Sequence, residues 1–135
     1  MSTLFIGARH LHSPVLSVLH GFLVLEDAHG RSTFSGDRGP GLFGAPLVGY
    51  EADYSDEHPD HRGVVALQQR WGEIDGDAIL ASFRATLNSV RVSRLTYNVL
   101  TCNCNTVITM LILRAGLELP PPPALFLPGY GRPIL

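Results

Sequence analysis

The chain has 135 residues, 45% of them hydrophobic, with 10 basic and 12 acidic side chains and a formal net charge of -2 at pH 7. That length and apolar content suit one domain over residues 1–135, large enough to bury a core without disulfides or a structural metal. The near balance of charge excludes the basic face through which proteins hold DNA or RNA, so nucleic acid is not an expected partner.

Near Met1 the apolar residues Leu4, Phe5 and Ile6 are stopped by Gly7, Arg9 and His10, which is not the pattern of a secretory signal. Synthesis in the cytoplasm is expected, with any export left to a specialised secretion system that reads no leader. The longest apolar run, Val107 to Leu113, falls short of the roughly 20 residues that cross a bilayer, so no transmembrane segment is expected and the protein reads as soluble. From Val15 to Glu26 the chain is rich in Val, Leu and Phe and ends in Asp27-Ala28-His29-Gly30, which predicts a strand and a turn. On that strand His20 shares a face with Phe22 and Val24, while Leu19, Gly21, Leu23 and Leu25 take the other. A second strand over Arg31 to Ser35 completes a hairpin.

Between Gly36 and Asp60, glycines, prolines and acidic residues predict a long loop that forms a cleft wall or lid. Val64 to Leu67 reads as a buried strand, extended through Gln68 to Trp71. With Asp75 or Asp77 as cap, Ile79, Leu80, Phe83, Leu87 and Val90 then recur at helical spacing on one face. The last element starts near Thr101 to Asn103 and runs through Val107, Ile108 and Met110 to Leu113, with Gly116 as its stop, and is read as a buried helix. The tail, Pro120 to Pro123 and on through Pro128 to Gly131, is expected to be extended against the domain.

The chain has two cysteines, Cys102 and Cys104, too close in sequence for a useful disulfide, so both are read as thiols. With Asn103 or Thr101 as N-cap, Cys104 falls in the first turn of the last helix, where free backbone N–H groups and the positive end of the dipole favour a thiolate. The same N–H groups suit the oxyanion formed when a thiolate attacks a carbonyl, which makes Asn103 a candidate for the cap and that hole. A nucleophilic thiol needs a proton carrier. His20 is the candidate base, because it lies within a hydrophobic strand whereas the other histidines fall in loops or ends.

The strand Leu19-His20-Gly21-Phe22-Leu23-Val24-Leu25, followed after a long interval by Asn103-Cys104-Asn105-Thr106 at a helix start, resembles the circularly permuted NlpC/P60 (papain-like) cysteine hydrolases. Their relatives include lecithin:retinol acyltransferase-like and PPPDE-type deubiquitinating enzymes. The resemblance covers Val18 to Asp27 and Tyr97 to Gly116. It implies an α+β, papain-like fold with the nucleophile helix packed on an antiparallel β-sheet. It also implies a cysteine peptidase or amidase using a Cys104–His20 dyad and no cofactor. The implied substrate is a peptidoglycan peptide or protein amide, in a bacterial setting that admits a toxin effector with a cognate immunity protein. A third polar residue is expected after the histidine. Thr33 and His29 are the candidates, and neither matches the pattern closely.

Other readings stand beside this one. The same dyad serves an acyltransferase or thioesterase, and a non-catalytic binding module would use Cys104 as a small buried apolar residue. Cys102 is the rival nucleophile, and Cys102 with Cys104 forms a candidate redox pair. His58-Pro59-Asp60-His61 and Asp53 to Glu57 hint at a metal, but Pro59 breaks a helix and no further ligand has suitable spacing, so no metal is expected.

Overall fold

The computed structural model describes residues 2–10, 19–41, 44–54, 64–98, 102–122, 127 and 129–132. The first part of the expected strand from Val15, the His58 to His61 run, Asp56, Glu57 and Thr101 lie outside the described residues.

Five strands, β1 (Thr3–His10), β2 (Leu19–Asp27), β3 (Gly30–Arg38), β4 (Leu47–Asp53) and β5 (Val64–Gln69), form an antiparallel sheet in the order β4, β3, β2, β1, β5. Among the described residues two helices follow the sheet, α1 (Gly76–Ser93) and α2 (Cys104–Arg114). The fold is therefore α+β. Two of the strands depart from the sequence-based expectation. Thr3–His10, whose Gly7 and Arg9 read as interruptions, pairs with both β2 and β5. Leu47–Asp53 is an edge strand inside what reads as a loop over Gly36 to Asp60. A seven-residue edge strand, half exposed and carrying a glycine, leaves little local signal of its own.

Strand alternation sorts side chains onto two faces. Leu4, Ile6, Leu23, Leu25 and Phe34 pack against Ile79, Phe83 and Val90 of α1 and Val107, Ile108 and Met110 to Ile112 of α2. Phe22, Val24 and Tyr54 form a second cluster on the opposite face, with Phe5 and Leu67 beside it. Phe83 and Phe34 meet in a T-shaped contact, at a centroid distance of 5.1 Å. Asp75 caps α1 by accepting from the Ala78 N–H at 3.3 Å. Among the described residues no helix is long and apolar enough to cross a membrane.

The start of α2 sits on β2 and β3 at a place made for close approach. The described pairing of β2 with β3 runs from Asp27–Gly30 to Leu23–Phe34. One step further, the Ser35 hydroxyl donates to the Gly21 carbonyl at 2.6 Å. Glycines on both strands face the helix here: a Cβ on Gly21 would lie 2.5 Å from Asn105 Oδ1, and one on Gly36 would lie 2.5 Å from Val107 Cγ2 and 3.4 Å from Cys104 Cα. Only residues without side chains let the helix come this near.

Candidate functional site

Cys104 is the first residue of α2, and the Asn103 side chain caps it, accepting from the N–H groups of Asn105 at 2.8 Å and Thr106 at 3.3 Å. Thr106 completes a capping box, its hydroxyl accepting from the Asn103 N–H at 2.9 Å. Asn105, fully buried, accepts from the Gly21 N–H at 2.8 Å and so ties the helix to β2. Three residues of the Asn103-Cys104-Asn105-Thr106 run thus hold the helix start in place. The fourth offers a thiol.

Cys104 is 4% exposed, and the backbone N–H groups of Gly21 and Asn105, which donate to Asn105 Oδ1 and Asn103 Oδ1, act to lower its thiol. The sequence predicts a thiolate, and the structure corrects this. Burial pushes the Cys104 thiol up to about 11, outweighing the lowering by those two N–H groups and by Arg9. Desolvation penalises the charged sulfur more than two N–H dipoles relieve it. Asp37 adds to the upward push, and the thiol in turn contributes to raising Tyr97, whose shift is caused mainly by its own burial.

His20 is 2% exposed and lies beside Arg9 in the β1–β2 register. Its Nε2 is 3.0 Å from the Tyr50 hydroxyl on β4, and the two rings lie nearly parallel. By alternation His20 and Arg9 share the sheet face of Phe22, whereas Gly21 faces α2. The charges of both Arg9 and Asp37 act on the Cys104 thiol.

The proposed third residues are elsewhere. Thr33 pairs with Val24, four residues along β2 from His20, or roughly 13 Å at ~3.3 Å per residue. Its buried hydroxyl has no hydrogen-bond partner among the described residues. His29 is exposed in the turn after β2, where its N–H donates to Asp27 Oδ1 at 2.7 Å. That turn starts roughly 23 Å along the strand from His20. Tyr50, Arg9 and Asp37 were not picked out from the sequence. Tyr50 fell in a stretch read as loop, and only its alternation with Val48 and Ala52 could have marked its face.

Cys102 precedes the helix, half buried, with its thiol also raised by burial. Its backbone exchanges hydrogen bonds with Asn98 at 2.8 and 3.0 Å. Both cysteines are free thiols. Among the described residues no group of three or more His, Cys, Asp or Glu side chains is placed to hold a metal. No protein-family model matches the chain, and no curated protein or solved structure shows significant similarity to it.

Proposed function

We propose that the chain is a cysteine-dependent amide hydrolase of the permuted papain-like type, with Cys104 as nucleophile, His20 as proton carrier and Tyr50 as the group that orients the imidazole. One observation carries this: Cys104 opens a capped helix whose next residue, Asn105, bonds the N–H of Gly21, the neighbour of a buried histidine held through Nε2.

Because the resting thiol is neutral, deprotonation accompanies attack. As Sγ bonds to the carbonyl carbon of a peptide amide, its proton passes to His20 Nδ1. The imidazolium then protonates the leaving nitrogen, and the C–N bond breaks to give a thioester. Water, losing a proton to His20, attacks that thioester, and the C–S bond breaks as Sγ regains its proton. Tyr50 holds the ring in the orientation that both transfers need. The Cys104 N–H, at the helix start, donates to the oxyanion. A peptide of the cell wall or of a protein fits this chemistry, and so does passing the acyl group to an amine.

A second reading has its own support. At 4% exposure and with its thiol raised to about 11, Cys104 also fits a non-catalytic scaffold in which it is a small core residue. Alkylation by an iodoacetamide probe, followed by intact mass across pH, separates the two. The catalytic reading expects labelling of Cys104 at neutral pH that falls about 100-fold or more in His20→Ala, whose rate then climbs tenfold per pH unit toward 11. Tyr50→Phe gives an intermediate loss. Labelling at Cys102, or an unchanged rate in His20→Ala, removes the dyad.

A further inference from the structure

A groove of about 730 Å³ runs between the outer edge of β4 and α1, away from the cysteine. Leu47, Val48, Leu87 and Leu95 are among the residues that line it. Val48 is 41% exposed, one of the few large apolar side chains turned to solvent among the described residues. Arg84, Arg91 and Arg94 stand on the rim against a single carboxylate, Glu51, which Arg84 already engages through two hydrogen bonds at 3.0 and 2.9 Å. Arg91 bonds the Asn88 side chain, and Arg94, at φ 54, holds a left-handed conformation where glycine is the usual choice. The groove thus combines apolar depth with surplus positive charge.

Its wall is a sheet edge that, among the described residues, is open beyond Leu47. β4 ends the sheet, and its Leu47 N–H turns outward to the Leu95 carbonyl at 2.8 Å, while the Tyr97 N–H reaches the Ala45 carbonyl at 2.8 Å. The chain around Thr96 therefore already begins a sixth strand along this edge. Outward groups repeat every second residue in an antiparallel ladder, so Gly49 and Glu51 turn their N–H and C=O groups into the groove beyond Leu47. Edge groups with no backbone partner among the described residues template strand addition.

We propose that this groove takes an extended acidic segment of a partner protein, which adds to β4 as a strand, seats apolar side chains on Leu87 and Leu95 and sets carboxylates against Arg91 and Arg94. The test is fluorescence anisotropy with a labelled hexapeptide of alternating glutamate and valine, read against a lysine–valine counterpart and an N-methylated copy that cannot pair as a strand. The acidic peptide binds saturably and is weakened by salt. Arg91→Glu and Arg94→Asn each reduce affinity about tenfold, the asparagine retaining the left-handed backbone. Val92→Glu, on the exposed part of α1 outside the groove, leaves affinity unchanged, and circular dichroism checks that each variant is folded. No binding of the acidic peptide, equal binding of the basic one, or full binding of the N-methylated copy overturns the proposal. So does a concentration-dependent dimer that Val48→Lys dissolves, which would give this edge to a second copy of the chain.

Discussion

Gly21→Ala tests the arrangement on which the candidate site depends. The new Cβ would stand 2.5 Å from Asn105 Oδ1 and 2.7 Å from Ile108 Cδ1, where ordinary contact starts near 3.4 Å. Ile108 can turn its terminal methyl aside. Asn105 cannot move without giving up its 2.8 Å bond to the Gly21 N–H, which would leave both groups buried and unsatisfied. Overpacking costs about 1–3 kcal/mol and the lost buried hydrogen bond about 1 kcal/mol, so a loss of roughly 3 kcal/mol is expected. For a domain of this length that lowers the melting temperature by roughly 10 °C, measured by calorimetry or circular dichroism. Gly72→Ala, whose Cβ would meet open space, serves as the control and stays within about 0.5 kcal/mol of wild type. Asn105→Ala removes the same clash, so the double variant is less destabilised than the sum of the singles by about 1–2 kcal/mol. A Gly21→Ala protein that melts within about 2 °C of wild type, or a double variant that is simply additive, would refute the close seating of α2 on β2.

Cys104 also sets a pH dependence. Its folded value lies above the ordinary 9.0, so the stabilisation from the neutral thiol is fully present below pH 9 and is lost as pH rises toward 11. The rise corresponds to about 3 kcal/mol as an order of magnitude, and Cys104→Ala should flatten that part of the alkaline urea-denaturation profile relative to wild type. A profile equally steep in the variant would show that the sulfur is better solvated than its burial implies. At the other end of the same turn, Asn103→Ala removes the acceptor of two backbone N–H groups and should cost about 1–2 kcal/mol in urea denaturation, while Asn103→Ser restores most of it. Equal stability of the alanine and serine variants would deny the cap.

Much of this molecule was legible one segment at a time. The alternation from Leu19 to Leu25 placed His20 with Phe22 and Val24, as the stacked His20 and Phe22 rings reflect. Helical spacing after Asp75 gave α1, and Asn103 and Gly116 bounded α2 to within a residue or two. Each of these signals is local: a period of two or 3.6 residues, a side chain that caps the N–H groups just after it, a glycine at positive φ. β1 and β4 were hidden because their pairing comes from strands elsewhere in the chain, while their own glycines and charges look like loop. The site residues divide in the same way. Cys104 and His20 could be named from their places in a helix and a strand, but Tyr50 reaches His20 from 30 positions away, and Asn105 bonds Gly21 across 84. The protonation of Cys104 was misjudged for the same reason. Dipole and cap belong to the first turn of α2 and can be read there, whereas desolvation depends on everything packed over the sulfur, and only the tertiary structure decides that.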